Sequence, residues 1–330
     1  FVSQINFVWS NETTNISYIS KQISLFLSMN GVICYYIVIT GGLTMPYPYK
    51  ANHSIESITL KVNDLENLVN FYSDIIGLTV IDKSSTRALL GVNQKIPLII
   101  LEKTELEKHS TYGLYHTAIL VPDEYHLSLA LNHLLSQHIP LEGGADHGYS
   151  NAIYLSDPEG NGIEIYNDKD ISMWDIRESG QIIGITERLD IDNLLDSLVN
   201  VPNNYKLSEK TRIGHIHLSV KDAKISSKLY QNVFGFDEKF AIPTASWIAS
   251  GNYHHHLAFN NWAGPNLSKN QEDRPGIFLL TIAYNDDNLF RDSLKKAQLY
   301  QLTFLEKQDH YYIIEDFDGI RIKVVLKPEN

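Results

Sequence analysis

The strongest constraint on this chain is a unit that recurs four times along it. Ile58-Thr-Leu-Lys-Val62 alternates apolar and polar side chains as a strand does, and Asp64 follows. Apolar residues at Leu65, Leu68, Val69, Tyr72 and Ile76 then fall on one helical face, which Gly77 closes. The same order returns at His215-Ile-His-Leu-Ser-Val220-Lys-Asp222, where the helix runs to Phe234 and ends at Gly235. Phe71-Tyr72-Ser-Asp-Ile-Ile-Gly77-Leu78 and Leu229-Tyr230-Gln-Asn-Val-Phe-Gly235-Phe236 are cognate. A second pair opens with Tyr115-His116-Thr-Ala-Ile-Leu-Val121-Pro-Asp123 and with Ile277-Phe-Leu-Leu-Thr-Ile282. Helices over 124–137 and 287–299 follow, and the turns Asp157-Pro-Glu-Gly160 and Asp316-Phe-Asp-Gly319 feed final strands. A strand, a helix and several short strands, four times over, define an α+β chain. Sheets built from such units curl around a concave face, so adjacent units can share a cavity.

At 330 residues the chain has room for two ordinary domains. Its net charge of -12 argues against nucleic acid or an anionic membrane surface as partner, because both require a basic footprint. The single cysteine, Cys34, rules out an internal disulfide and a thiolate metal cluster, which leaves His, Asp and Glu as metal ligands and points to a reducing cytoplasm. A Gly-rich phosphate loop and a Gly-x-Ser-x-Gly elbow are both absent, so nucleotide-dependent and serine-hydrolase chemistry lack support. The expected division is modules one and two over 45–170, a packed linker over 171–208 with a short helix at 191–198, and modules three and four over 209–330.

Residues 1–44 read differently: they are rich in Ser, Asn and Ile, and their apolar run over 32–39 is shorter than the ~20 residues needed to span a bilayer. They also lack the basic start of a secretory signal. Gly41-Gly42-Leu43-Thr44-Met45 back-translates to a ribosome-binding sequence ahead of a start codon. Met45 is therefore expected to be the natural start, and residues 1–44 a non-native or untranslated leader.

His116 stands seven residues before Asp123, and His215 seven before Asp222, so both occupy the same place on the first strand of their modules. Glu164 lies seven after Asp157, on the last strand of module two. Module one offers Ser57 and module four Lys323 at the matching points, so only modules two and three carry ligand-type residues. Two imidazoles and one carboxylate form the facial triad of non-haem Fe(II) oxygenases, although zinc hydrolases use the same donors. The ordinary alternative is a set of hydrogen-bonded strand residues. His217 shares a strand face with His215.

The modules resemble the vicinal oxygen chelate superfamily, which includes glyoxalase I, fosfomycin-resistance proteins and extradiol dioxygenases. The likeness spans about residues 53–327, and it is strongest to the catechol 2,3-dioxygenases of Gram-positive bacteria. His254-His-His-Leu-Ala-Phe-Asn-Asn-Trp262 and the linker Trp174…Gly180…Leu189-Asp-Ile-Asp-Asn-Leu194 carry it. The resemblance implies four βαβββ modules forming two curled mixed β-sheet domains. It also implies Fe(II), with Mn or Zn less favoured, held by His116, Glu164 and His215, and a small aromatic diol and O₂ as reactants. A homo-oligomer is compatible with the family. The better-known members put the His-plus-Glu module last, so the site requires modules two and three to meet in space.

For proton handling the resemblance selects His255, while strand alternation leaves His256 as a substitute and His254 reads as a rim or surface residue. A histidine suits the task because it titrates near operating pH. Tyr154, ten residues before Glu164, matches a substrate-binding tyrosine of the family. His147, His256 and Trp262 are candidates for substrate contact, and Phe259 could join Trp262 in walling an aromatic pocket. The function expected is extradiol cleavage of catechol or a substituted catechol. The alternatives are a glyoxalase-like isomerase or thiol transferase, with His256 as a fourth metal ligand, and a non-catalytic aromatic-binding protein.

Overall fold

The computed structural model describes residues 51–327, so the expected leader over 1–44 and the start at Met45 lie outside the described residues. Module one comprises β1 (His53–Val62), α1 (Leu65–Asn70), β2 (Thr79–Lys83), β3 (Arg87–Gly91) and β4 (Pro97–Lys103). A π-helical turn, Phe71–Ile75, carries α1 on to the glycine that ends it. Module two has β5 (Gly113–Leu120), α2 (Glu124–Ser136), β6 (Gly143–Asp146), β7 (Ser150–Ser156) and β8 (Gly162–Asp168). The linker contributes β9 (Asp175–Ile176), β10 (Ile182–Ile183), β11 (Glu187–Arg188) and α3 (Ile191–Asp196). Module three has β12 (Arg212–Ser219), α4 (Ala223–Phe234), β13 (Asp237–Ile242), β14 (Ala245–Ala249) and β15 (Leu257–Asn260). Module four closes the chain with β16 (Gly276–Tyr284), α5 (Asp287–Leu299), β17 (Thr303–Lys307), β18 (Tyr311–Glu315) and β19 (Arg321–Leu326).

The four module helices begin alike. Asp64, Asp123, Asp222 and Asp286 each accept a hydrogen bond from the backbone N–H three residues on. A cap of this kind satisfies a donor that the helix cannot pair internally and contributes ~1 kcal/mol. Each helix then packs its apolar face on the strands of its own module. No helix among the described residues is long and apolar enough to cross a membrane.

Two curled mixed sheets result. One runs β17-β18-β19-β16-β1-β4-β3-β2, and the other β11-β6-β7-β8-β5-β12-β15-β14-β13. Module one therefore joins module four, and module two joins module three. The chain halves 45–170 and 209–330 each give one module to each sheet, because the first strands pair across the halves: β1 with β16 and β5 with β12, both antiparallel.

Buried tyrosines tie the two modules of each half together. The Tyr72 hydroxyl donates to Asp157 Oδ2 at 3.0 Å, and the Tyr230 hydroxyl donates to Asp316 Oδ2 at 2.8 Å. The other oxygen of each aspartate accepts backbone N–H groups of its own turn, from Glu159 and Asn161 and from Asp318 and Ile320. The repeated Phe-Tyr or Leu-Tyr pair and the repeated Asp-x-x-Gly turn are thus two ends of one contact.

Candidate active site

The β5–β12 pairing lies in the middle of the nine-stranded sheet and aligns His217 with His116, and His215 with Ala118. On the other side of β5, β8 runs parallel and aligns Ala118 with Glu164. The methyl of Ala118 therefore lies between His215 and Glu164 in register, which leaves space above it for their longer side chains. Two glycines serve this packing. A Cβ on Gly162 would meet the Tyr115 carbonyl oxygen at 2.2 Å, and one on Gly214 would meet the Tyr166 hydroxyl at 1.8 Å.

His116, Glu164 and His215 converge, and all three are buried. Glu164 Oε2 is 3.0 Å from His116 Nε2 and 3.1 Å from His215 Nε2, and the two Nε2 atoms are 3.3 Å apart. Ligands about 2.1 Å from one octahedral ion and at right angles to one another stand about 3.0 Å apart, so this triangle fits one face of a coordination octahedron. Burial alone would raise the Glu164 carboxyl, but the His215 and His116 rings hold it well below the usual carboxylate range. Burial lowers His215 to about 4, which leaves its ring uncharged and able to offer a lone pair. Its Nδ1 has no hydrogen-bond partner among the described residues. The three side chains can hold a divalent metal ion.

His255 lines the cavity over this triangle, with its ring 4.0 Å from that of His215. Behind it runs a buried chain. His254 Nε2 is 2.8 Å from Asp168 Oδ1, and because a carboxylate only accepts, that nitrogen carries a proton. His254 Nδ1 faces His255 Nδ1 at 2.7 Å, and in the uncharged form of His254 it is the acceptor of that pair. Burial, followed by the neighbouring His215 and His254, keeps His255 uncharged, so its one proton sits on Nδ1 and Nε2 is a free base. His254 is consequently no rim or surface residue: it is buried, stacked on Tyr149 at 4.3 Å and 13°, and anchored to Asp168.

Tyr154, aligned with Glu164 across β7 and β8, also lines the cavity. His147 Nδ1 is 2.9 Å from the Ile185 carbonyl, which can only accept, so Nδ1 donates and Nε2 receives the Tyr154 hydroxyl at 2.6 Å. Burial, and then the charge of Glu164, push the Tyr154 phenol up, so it stays protonated. Trp262 lines the outer cavity, half exposed, with its indole N–H donating to Thr244 Oγ1.

Two further expectations are corrected. His256 is buried away from the cavity, where its Nδ1 accepts the Ser250 backbone N–H, so it contacts neither substrate space nor the donor triangle. Alternation misplaced it because residues 251–256 form an irregular turn and β15 starts only at Leu257. Phe259 packs on Tyr230 in the core and does not wall the cavity. Sequence reasoning missed Asp168 as the anchor of His254, and it missed the linker segment Gly184–Thr186, which lines the cavity. Neither belongs to the repeated pattern that exposed the other site residues.

A profile of the Glyoxalase/Bleomycin resistance protein/Dioxygenase superfamily matches residues 54–165 and 212–324, and the chain belongs to that superfamily. Catechol-2,3-dioxygenase of Bacillus subtilis (strain 168) is 38% identical over 229 residues, covering 68% of this chain and 80% of its own length. Among solved structures, a candidate dioxygenase from Bacillus subtilis subsp. subtilis str. 168 superposes with a TM-score of 0.60 at 13% identity, covering 86% of this chain and 87% of its own. Glyoxalase I from Zea mays has the same fold at a TM-score of 0.50 and 15% identity, covering 83% of this chain and 92% of its own.

Proposed function

We propose that the protein is an extradiol dioxygenase, opening the ring of a catechol-like diol beside its two oxygens with Fe(II) held by His116, Glu164 and His215. The observation that carries this reading is the convergence of two imidazole nitrogens and one carboxylate oxygen, from two modules, on the floor of one cavity. The 38% identity to a catechol-2,3-dioxygenase supports the same chemistry. Iron held by these three side chains would supply Lewis acidity toward a chelating diol and redox chemistry toward O₂. Both oxygen atoms enter the product, so no separate reductant is consumed.

The side chains of the chain manage position and protons. His255 Nε2, left without a proton by burial and oriented by the contacts through His254 to Asp168, takes a proton from one diol hydroxyl and returns it as the ring opens. Tyr154, still protonated, donates its hydroxyl hydrogen bond to His147 and so presents oxygen lone pairs to the other hydroxyl. Trp262 borders the space for the ring's far edge. A glyoxalase-like reaction with a fourth ligand from His256 is disfavoured, because that ring lies outside the cavity.

The test is direct. Protein purified anaerobically and loaded with Fe(II), Mn(II), Zn(II) or Ni(II) in parallel is given catechol, and O₂ uptake and near-visible absorbance are followed. Iron-dependent uptake of one O₂ per diol with a yellow ring-opened product is expected. Absence of uptake across several diols, with iron bound, refutes the reading.

A further inference from the structure

The cavity above the donor triangle has a volume of about 790 Å³, towards the upper end of the range that holds drug-sized ligands. An unsubstituted catechol ring has only eight heavy atoms and leaves most of that space to water. Much of the remaining wall is apolar. Tyr115, Ile185, Ile242 and Trp262 come from four separate segments, and all are large apolar side chains with 42–50% of their surface exposed. All four line this one cavity. A single exposed apolar residue means little, but four around one opening form a patch that a ligand can cover.

The patch begins one ring away from the donors. His217 stands edge-on to His116 at 4.9 Å, and Trp262 is 5.5 Å beyond His217. Tyr115 meets Trp262 edge to face at 5.3 Å and 82°. The Thr244 and Asn260 side chains hydrogen-bond the Trp262 indole and backbone N–H, so the wall is held in place before anything binds. Charge points the same way. Among the described residues lining the cavity there is no Lys or Arg, whereas Glu142 and Glu164 are both present, in a chain of net charge -12. A carboxylate on the substrate would be desolvated there without a cationic partner.

We propose that this site selects diols carrying an uncharged apolar substituent, an aryl group above all, and discriminates against diols carrying a carboxylate. The inference rests on the proposed ring-cleaving function for the diol end of the ligand, and on the outer wall for the rest. The substituent lies against Trp262 and Tyr115 while the two oxygens face His116, Glu164 and His215.

Binding, measured apart from turnover, tests it. Iron-loaded protein is titrated anaerobically by calorimetry with catechol, a phenyl-substituted catechol and a carboxylate-substituted catechol, and O₂ uptake is recorded separately for each. The phenyl compound is expected to bind about tenfold or more tighter than catechol, and the carboxylate compound more weakly than catechol. In Trp262→Ala, and independently in Tyr115→Ala, the ratio of phenyl to unsubstituted affinity falls toward one, and Trp262→Phe restores much of it. Equal affinities for all three diols, or tightest binding of the carboxylate compound, overturn the inference while leaving ring cleavage standing if O₂ is consumed. Tight, Trp262-dependent binding of the phenyl compound with no O₂ uptake from any diol supports the wall and sinks the proposed reaction instead.

Discussion

Replacing Asp168 with asparagine tests whether His255 is held as a base by the chain behind it. The His254 Nε2–Asp168 Oδ1 bond is 2.8 Å long and buried, so the carboxylate makes a charge-assisted contact that water does not weaken. An asparagine carbonyl still accepts the same proton, and the tautomer order through His254 to His255 survives. What is lost is the difference between a hydrogen bond to a charged group and a neutral one, about 1 kcal/mol, which corresponds to about a fivefold change. Turnover by Asp168→Asn is therefore expected to fall about fivefold with iron content unchanged, read by O₂ uptake and metal analysis. His255→Ala removes the base itself and should cost about 10²- to 10⁴-fold while also keeping the iron. The decisive measurement is the double variant. If Asp168 acts through His255, adding Asp168→Asn to His255→Ala costs nothing further, whereas independent effects multiply. A multiplicative result, or loss of iron from Asp168→Asn alone, would refute the chain from Asp168 to His255.

Metal loading should raise thermal stability in proportion to its binding, and a chelator should reverse the gain, while His215→Ala abolishes the metal-dependent shift in a melting experiment. Gly214→Ala drives a Cβ into the Tyr166 hydroxyl, which is itself 2.6 Å from the Tyr253 hydroxyl, so it should cost about 1–3 kcal/mol in urea unfolding and weaken metal binding at the adjacent His215. His53 is buried between Phe236 and Tyr284 with neither ring nitrogen hydrogen-bonded among the described residues, and burial lowers it to about 4. The unfolded chain thus binds the proton more tightly, and the stability present above the ordinary histidine range is lost as pH falls from about 6.5 to about 4. Between about pH 7.5 and pH 5 the parent should lose roughly 2 kcal/mol more than His53→Phe, and equal losses in urea midpoints would show that His53 plays no part.

The repeat made the modules and much of the candidate site legible, because position within a repeat encodes position on a strand. His116 and His215 could be matched through their distances to Asp123 and Asp222, and those aspartates proved to be helix caps, the most local of structural constraints. Tyr154 and Glu164 sit in an antiparallel pair, where spacing along the chain translates into facing side chains. His254-His255-His256 was not legible in the same way. The triplet occupies an irregular turn, so each ring direction is set by a tertiary partner: Asp168 for His254, His254 for His255, and Ser250 for His256. Pairing between halves also leaves no local trace, since β5 and β12 meet from opposite sides of the linker.

That pairing has a consequence for how the site comes to exist. His116 and Glu164 lie in the first half of the chain and His215 and His255 in the second, so neither half contains a complete donor set. Within each half, the tyrosine–aspartate contacts at Tyr72–Asp157 and Tyr230–Asp316 join a module of one sheet to a module of the other. The sheet of modules one and four holds Ser57 and Lys323 where the other holds ligands, and among the described residues no second metal-type cluster occurs there. Its β1–β16 pairing nevertheless joins the same two halves as β5–β12 does. The ligand-free sheet thus acts on the site at a distance: by pairing Ser57 with Thr281, it helps hold together the two halves that bring His116 to His215.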